Sequence, residues 1–422
     1  MRRTRHGGAG LLLVALFLLA VIGSLAAIGM SAYATNAQRA RITERALAQA
    51  REALLAYGAE RPISREVGPG YLPCPDTDDD GWAQATCGSL SGHLGQDERL
   101  GRLPWKTLGL PDLRDGHGER LWYAVSSRHK GLLNCAASRE CREMTPASAL
   151  GAITIRDRSG AVVHDGRLAD PRRAADGGAV AVVIAPGPAL TRADGREQVR
   201  ECRPGDCDAL GRCLTDPPWR AARCDPANYL DVAPARAGAE DNATFHDRND
   251  AAGRALNADG FIHGPILTPG GDVAVNDRLA VLAYNDLMPR VMARIALEMA
   301  HCLRERAGGL PQPEAACGAG AFLGRIEADA LEAGTCSARA DDPAWWPSWR
   351  PHVLYALAAP TGLEVVDEEG RTLAAGRRFA LLATQVADQC IPQQVTCGEA
   401  GCTRVATQPR SRDRHVVVVS AP

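Results

Sequence analysis

Two hydrophobic patterns follow one another at the start of the chain. The 22 residues from Ala9 to Met30 are almost wholly apolar and uncharged, and as a helix they would extend about 33 Å, enough to cross the hydrocarbon core of a bilayer. From Arg39 to Tyr57 apolar residues recur at helical spacing with charged residues on the other faces, and Gly58 is a suitable stop. The pattern predicts one long helix over 9–58 that runs from a membrane to a globular head.

A cleaved signal peptide is the alternative interpretation of the apolar run. The letters SAYA end at Ala34 as a small-residue cleavage site, after which a mature chain would begin at Thr35. The run is longer, however, than a typical signal-peptide apolar region of about 7–15 residues. We therefore favour a membrane-spanning helix preceded by a short basic leader, 1–8. Because arginines flank both ends of the run, charge alone leaves its orientation open.

Helical and strand patterns also occur beyond the first helix. Apolar residues at helical spacing predict a second helix from Leu287 to Arg306, with Asp286 as its N-cap and Pro289 in its first turn. Runs rich in β-branched and apolar residues predict strands at 120–125, 179–190, 352–360, 377–386 and 414–422. This combination predicts an α+β fold in which the long N-terminal helix is followed by an antiparallel-sheet head.

Two pairs of similar segments suggest that the head is duplicated. RLWYAVSS at 120–127 is similar to HVLYALAA at 352–359, and VAVVIAP at 180–186 is similar to the terminal VVVVSAP. Chance similarity between short apolar strands is the alternative. The predicted organisation is a leader (1–8), the N-terminal helix (9–58), a first globular domain (59–190), a Cys/Pro/Gly-rich insertion or linker (191–275) and a second helix-plus-sheet domain (276–422).

Fourteen cysteines place this head in an oxidising compartment. Their number is even, none lies in a CxxC pair and none has metal-ligand spacing to a histidine, so a disulfide framework is favoured over zinc. Disulfides persist outside the cytoplasm, which orients the head outward. The disulfide candidates are Cys74, Cys87, Cys135, Cys141, Cys202, Cys207, Cys213, Cys224, Cys302, Cys317, Cys336, Cys390, Cys397 and Cys402.

Cysteines that are near neighbours along the chain are the favoured pairs, because short loops close most easily. These pairs are Cys74 with Cys87, Cys135 with Cys141, and local pairs within 202–224 and within 390–402, although spacing leaves the full connectivity open. A loop of about 14 residues closed by the 74–87 pair would contribute about 3 kcal/mol in the chain-entropy model.

Charge and motifs exclude several functional classes. The formal net charge is −2, and no basic stripe is present, so no nucleic-acid partner is predicted. Motifs of serine hydrolases, zinc proteases, P-loop enzymes and dinucleotide-binding enzymes are absent. Asp115 and His117 lie together in a Gly-rich turn, for which a solvated loop is a better interpretation than acid–base chemistry. We therefore predict that the protein is not an enzyme.

An acidic stretch, PCPDTDDDGW at 73–82, resembles the first half of a calcium loop. Positions 1, 3, 5, 6 and 7 of such a loop would be Asp76, Asp78, Asp80, Gly81 and the carbonyl of Trp82. Position 12, where a bidentate glutamate belongs, is Cys87, so the ligand set is incomplete unless Asp97 or Glu98 folds back. Calcium is the one candidate cofactor, and an acidic solvated turn pinned by a disulfide is the alternative.

A tryptophan cluster occurs in DDPAWWPSWRP at 341–351. An exposed cluster could contact a partner protein, a glycan or a lipid surface. A Trp-Pro loop packed over the sheet of the second domain is the structural alternative, and it is the one we favour. The residues are Trp345, Trp346 and Trp349.

The basic leader, the glycine, the apolar helix and its amphipathic continuation together resemble the type IV pilin and pseudopilin family. The leucine–proline pairs in GYLPCPDTDDDGW and GRLPWKTLGLPDLRDGHGERLWYAV resemble a block that follows the helix in pilin-like proteins, and the similar blocks cover about half of the chain. The resemblance implies that a prepilin peptidase cleaves between Gly8 and Ala9 and that the new N-terminus is methylated. Family members usually carry a glutamate five residues into the mature chain, where this chain has Leu13. In lacking it, the chain resembles the large tip-capping pseudopilin of type II secretion.

The resemblance implies a minor pilin or pseudopilin, a structural subunit near the tip of a type IV pilus or a type II secretion pseudopilus. Such a subunit is a single-pass inner-membrane protein with its head in the periplasm before it enters the filament. Its implied partners are other pilins or pseudopilins through the N-terminal helix, the prepilin peptidase and the inner membrane. Some minor pseudopilins bind calcium in their heads. The alternative is a periplasmic ligand-binding or enzymatic domain tethered by an uncleaved N-terminal anchor.

Overall fold

The structure is a computed structural model that describes two helices and a β-rich head. The described residues are 7–60, 70–85, 87, 99–126, 129–130, 144, 150–168, 177–198, 200, 225–235, 237–238, 240–244, 247–249, 255–258, 260–305, 349, 353–357, 363–366, 372–376, 380–385, 395–398, 401–406 and 414–420. For 7–15, 19–32, 247–249, 255–258, 296–305 and the strands beyond 349, the description covers the backbone alone.

The helices and strands follow in this order along the chain. The helices are α1 (Gly7–Glu60) and α2 (Tyr284–Glu305), and a 3-10 turn spans Pro226–Asn228. The strands are β1 (Leu100–Arg102), β2 (Trp122–Val125), β3 (Thr154–Arg156), β4 (Val162–His164), β5 (Ala181–Ala185), β6 (Asp247–Asn249), β7 (Ala255–Ala258), β8 (Gly260–Ile262), β9 (Ile266–Leu267), β10 (Val273–Val275), β11 (Arg278–Leu282), β12 (Val353–Leu357), β13 (Leu363–Val366), β14 (Thr372–Gly376), β15 (Ala380–Gln385), β16 (Val395–Gly398), β17 (Gly401–Ala406) and β18 (Arg414–Ser420). Each of the five predicted strand segments contains an observed strand.

Helix α1 contains the whole of the predicted helix 9–58 and extends two residues beyond it at each end. Within the residues that the structure describes, no helix is both long enough and apolar enough to cross a membrane. The side chains of the predicted membrane-spanning segment, 9–30, lie outside those residues except at 16–18. Leader residues 1–6 also lie outside the described residues, and Gly8 and Ala9 are described by their backbone in α1.

The two ends of α1 differ in their surroundings. Phe17 is 69% exposed and Tyr33 is 77% exposed, whereas Thr43 is buried and begins the part of the helix that the head covers. Buried apolar residues of this second part share one face because they recur at helical spacing, among them Ala46, Leu47, Ala50, Leu54 and Leu55. This stripe packs against β5 and β11, so the second half of α1 belongs to the core of the head.

The sheet beneath α1 has four antiparallel strands in the order β1-β2-β5-β11. Because side chains alternate between the faces of a strand, Tyr123 and Val125 point to the α1 side, while Trp122 and Ala124 point to the opposite side. On that opposite side lies a smaller sheet in the order β4-β3-β8, in which β3 and β8 are parallel. The first half of the head therefore has three layers.

Helix α2 joins the same core. It begins at Tyr284, three residues before the predicted start, and the Asp286 carboxylate accepts a hydrogen bond from the N–H of Ala283 at 2.9 Å. Its buried apolar residues pack with those of α1. They are Tyr284, Leu287, Met288, Val291, Met292 and Ile295. Strand β11 and α2 thus pack with the first half of the chain, and the predicted boundary at 275–276 falls inside one packed unit.

The C-terminal strands form two further sheets, in the orders β12-β18-β15 and β14-β13-β17-β16. Helix α2 also contacts β15 and β18. Strands β12 and β18 are the counterparts of β2 and β5 in the suggested duplication, yet β2 and β5 are antiparallel whereas β12 and β18 are parallel. The sheets of this half are therefore mixed rather than antiparallel, and the strand pairing does not repeat that of the first half.

Candidate functional site

A disulfide between Cys74 and Cys87 closes the acidic loop, as the short spacing predicted. Both cysteines are buried. The loop also extends the edge of the first sheet, because the backbone of Asp76 exchanges hydrogen bonds with that of Arg102 at 3.0 and 2.6 Å. The covalent bridge and this β-bridge together fix the position of the acidic residues between them.

The carboxylate of Asp76 organises the turn. It is almost fully buried and accepts hydrogen bonds from the backbone N–H groups of Asp78 at 3.2 Å, Asp80 at 3.3 Å and Gly81 at 2.6 Å. Gly81 has a φ of +89°, and a Cβ there would lie 2.7 Å from the ring of Trp105, so this position accepts only glycine. Three amide donors around one carboxylate wrap the chain into a compact loop.

Three carboxylates meet inside this loop. Ligand oxygens of Asp76, Asp78 and Asp80 lie within 4.8 Å of one another, and Oδ1 of Asp78 is buried without a hydrogen-bond partner. Burial raises the pKa of Asp76 to about 7, and the neighbouring Asp78 and Asp79 add to the effect while the N–H of Gly81 opposes it. A bound cation would relieve this crowding and would give the open oxygen of Asp78 a partner.

Two cationic side chains at the rim of the loop bind groups other than the three carboxylates. Nζ of Lys106 donates to the backbone oxygen of Asp80 and lies 5.1 Å from the ring centre of Trp105. Nη1 of Arg120 lies 2.8 Å from the carboxylate of Asp79, the acidic residue that the calcium pattern does not use. These partners hold the loop in place and leave the cluster of three carboxylates without a neutralising side chain among the described residues.

The donor set fits a divalent cation such as calcium, with an incomplete set of protein ligands. Three carboxylates supply hard oxygen donors, and the N–H of Trp82 donates to the Asp80 carboxylate at 2.7 Å, which holds residue 82 beside the cluster. The twelfth position cannot supply a glutamate, because Cys87 is in the disulfide. Asp97 and Glu98, the suggested replacements, lie outside the described residues. Water would therefore complete the coordination, and affinity would be weak.

Asp115 and His117 form a structural turn. The buried carboxylate of Asp115 accepts from the N–H groups of His117 at 2.8 Å, Glu119 at 3.0 Å and Gly187 at 2.9 Å. Gly116 in this turn approaches α1 so closely that a Cβ would lie 2.1 Å from the backbone oxygen of Arg39. The N–H of Gly116 also donates to the hydroxyl of Thr43 at 2.9 Å, so the turn fixes the head against α1 and the Asp115 carboxylate holds the turn together.

The structure contains a second group of buried acidic residues that no sequence pattern indicates. Asp231 and Asp277 are both fully buried and lie 46 residues apart in the chain. Burial raises the pKa of Asp231 to about 6, and burial together with the charge of Asp231 raises the pKa of Asp277 well above its ordinary value. Neither residue belongs to a recognisable motif, so only the folded chain brings them together.

The other predicted site residues are only partly described. Trp349 is completely buried in the core shared by α1 and α2, so the suggested surface contact is wrong for this residue; Trp345 and Trp346 lie outside the described residues. The backbone register places Cys397 directly opposite Cys402 in the β16–β17 pair, and Cys302 lies in α2. The remaining cysteines lie outside the described residues: Cys135, Cys141, Cys202, Cys207, Cys213, Cys224, Cys317, Cys336 and Cys390.

Comparisons with known proteins identified no relative of this chain. No protein-family model, no curated protein and no solved structure matches the chain. Proposals about its function therefore depend on its own residues and on their arrangement.

Proposed function

We propose that the protein is a minor pilin or pseudopilin, a structural subunit placed near the tip of a type IV pilus or a type II secretion pseudopilus. The observation that carries this proposal is the division of α1. Its second half is buried in the head at Leu54 and Leu55, while Phe17 and Tyr33 on the first half are exposed. A single helix that begins outside the head and ends in its core is suited to holding a head on a shared helical bundle.

The apolar first half of α1 has two uses in this proposal. Before assembly, residues 9–30 hold the subunit in the inner membrane with the head in the periplasm. During assembly, the same surface packs against the helices of neighbouring subunits. Burying a large apolar side chain contributes about 1.5–3 kcal/mol, so exposed residues such as Leu16 and Phe17 favour both states over water.

Leu13 favours a position at the tip. In the proposed mature chain this residue stands where most filament subunits have a glutamate, and no acidic residue occurs before Glu44. A subunit without that carboxylate has no charged partner for the N-terminal amine of another subunit. It can therefore do without a subunit ahead of it, which is the situation at the end of a filament.

In this proposal the acidic loop stabilises the head and has no catalytic role. A cation held by Asp76, Asp78 and Asp80 would neutralise the crowded carboxylates and brace the loop that Cys74 and Cys87 close. The loop lies beside β1, at the edge of the first sheet. Calcium would in this way stiffen one edge of the head without taking part in catalysis.

Mass spectrometry of the mature N-terminus tests the proposal. The full chain, expressed in a bacterium that has a prepilin peptidase, should begin at an N-methylated Ala9. The Gly8→Val variant should keep residues 1–8, because a bulky residue at the cleavage point blocks the peptidase, whereas Gly10→Val, two positions away, should still be processed. A retained Met1 in the unaltered chain would support the tethered periplasmic domain, and a start at Thr35 would support a signal peptide; either would overturn the proposal.

A further inference from the structure

The surface around the point where α1 enters the head has a composition that the proposed function leaves unexplained. A cavity of about 220 Å³ lies there between α1 and the head. Asn36, Arg39 and Thr43 line it from α1, and Val273 and Arg278 line it from the head. We call this region the base of the head. No carboxylate lines the cavity within the part of the chain that the structure describes.

The base of the head carries uncompensated positive charge. Among the described residues, the guanidinium of Arg39 has no hydrogen bond and no ion pair, and Arg39 is exposed. Arg278 donates to the Glu44 carboxylate at 2.9 Å, and its side chain remains 35% exposed. Arg41 and Arg45 on α1 are exposed as well. Glu44 on α1 and Asp272 in the β9–β10 hairpin are the exposed carboxylates beside these four arginines, so positive charge is in excess and the surface favours an anionic partner.

Exposed apolar groups accompany this charge. The β9–β10 hairpin borders the cavity through Val273, and Leu267 lies directly opposite Val273 in the strand register. Leu267 is 59% exposed and Val273 is 45% exposed, so the two form an apolar pair on one face of the hairpin. Tyr33 lies one helical turn before Asn36 on the same side of α1 and is also exposed.

The distance along α1 places these groups at a bilayer surface. Arg39 follows Met30, the end of the apolar run, by nine residues, which is about 14 Å of helix. Helical side chains point toward the N-terminus, so the long side chain of Arg39 reaches back toward the membrane. The headgroup layer extends about 5–8 Å beyond the hydrocarbon, and Tyr33, about 5 Å beyond Met30, would lie within it.

We propose that the base of the head is a docking surface for anionic phospholipid headgroups, which hold the head against the membrane before assembly. Arg39 and Arg278 bind lipid phosphates at the cavity, Tyr33 lies among the headgroups, and Leu267 with Val273 contacts the outer side of the headgroup layer. The inference rests on the proposed membrane anchoring by residues 9–30. It adds a second, charge-dependent contact that an anchor alone does not require.

Hydrogen–deuterium exchange of the full chain in phospholipid vesicles tests this docking. We expect slower exchange at residues 266–275 in vesicles with about one third phosphatidylglycerol than in pure phosphatidylcholine vesicles. One arginine near an anionic surface contributes enough affinity to change a docking equilibrium about fivefold. Arg39→Gln should therefore reduce the protection about fivefold, and Arg39→Glu should reduce it further.

Arg290→Gln is the matched control, because Arg290 pairs with Glu52, 13 residues or about 20 Å farther along α1. It should leave the protection at 266–275 unchanged, and unaltered exchange in β5 should show that every variant is folded. Flotation of the vesicles after an alkaline wash separates the two proposals. A chain that does not float contradicts the membrane anchoring, and the docking with it.

Two results from a chain that does float would overturn the docking alone. One is equal exchange at residues 266–275 in both lipid compositions. The other is protection that rises with the density of the chain in the vesicles and ignores phosphatidylglycerol, because that pattern identifies a second copy of the chain as the occupant of the base.

Discussion

Asp231 and Asp277 exchange hydrogen bonds with each other. The backbone N–H of Asp231 donates to Oδ2 of Asp277 at 2.8 Å, and the backbone N–H of Asp277 donates to Oδ2 of Asp231 at 3.2 Å. Asn242 donates to the same oxygen of Asp277 at 2.8 Å, and Gln198 donates to Oδ1 of Asp231 at 2.8 Å. Oδ1 of Asp277 is buried without a partner. This pair ties the segment before β11 to a distant loop.

Stability should rise as the pH falls from neutral toward 4 because of this pair. Both carboxyl groups have a raised pKa in the folded chain, that of Asp231 being about 6, so the folded state holds protons that the unfolded state releases. The stabilising contribution of Asp231 is fully present below the ordinary value of about 3.8 and is lost as the pH rises through about 6, and Asp277, whose pKa is also raised, contributes in the same direction. Urea unfolding at pH 5.0 and 7.5 measures the difference.

Asp277→Asn should flatten this pH dependence. The substitution removes one negative charge from the buried pair, so the difference in unfolding free energy between pH 5.0 and 7.5 should shrink by on the order of 1–3 kcal/mol. Asp272→Asn, at an exposed aspartate between β9 and β10, should keep the original difference. An Asp277→Asn variant with the full pH dependence would contradict the coupling.

Calcium should bind the acidic loop weakly, with a Kd of roughly 10⁻⁴ to 10⁻³ M, because three carboxylates are present without the bidentate glutamate. At a calcium concentration ten times the Kd, the unfolding free energy should rise by about 1.4 kcal/mol. Isothermal titration calorimetry and thermal unfolding of the full chain in detergent measure both quantities. Absence of both heat and melting shift at millimolar calcium would identify the loop as a turn only.

Asp78→Asn should have opposite effects with and without calcium. It should weaken calcium binding about tenfold or more by removing one anionic ligand, and it should stabilise the calcium-free chain because fewer carboxylates repel each other. Asp272→Asn serves again as the exposed control. Equal calcium responses of the Asp78→Asn variant and the unaltered chain would exclude the proposed site.

The disulfide of the acidic loop should contribute about 3 kcal/mol to the unfolding free energy. The double variant Cys74→Ala with Cys87→Ala should lose about that much unfolding free energy, because the open loop has more conformational freedom in the unfolded chain. Thiol titration of the denatured, unreduced chain should find close to no free thiol. Many reactive thiols would contradict an exported, fully paired cysteine set.

The second half of α1 should be essential to the stability of the head. Leu54 is fully buried in the shared core, so Leu54→Ala should cost about 2–5 kcal/mol. Ile42, on the same helix, is 40% exposed, and Ile42→Ala should change stability by about 0.5 kcal/mol or less. Chemical denaturation of both variants compares them. Equal, small losses would show that α1 does not contribute to the core.

The sequence alone determined the elements whose signals are local. The apolar run and the 3.6-residue period predicted α1 to within two residues at each end, and β-branched runs predicted strands such as β5 and β18. The spacing of Cys74 and Cys87 also predicted their disulfide, since a short loop closes at little entropic cost. In each case the residues that make the contact lie within a few turns or one short loop of each other.

Only the tertiary structure decided the long-range relationships. The pairing of Asp231 with Asp277, the addition of β11 to the first sheet, the parallel pairing of β12 with β18 and the burial of Trp349 all join segments that are distant in the chain. Periodicity reports which face of an element is buried, but it does not report which other element covers that face. The packing of the whole head decides which elements become neighbours. The composition of an apolar strand is compatible with several different neighbours and therefore does not identify the right one.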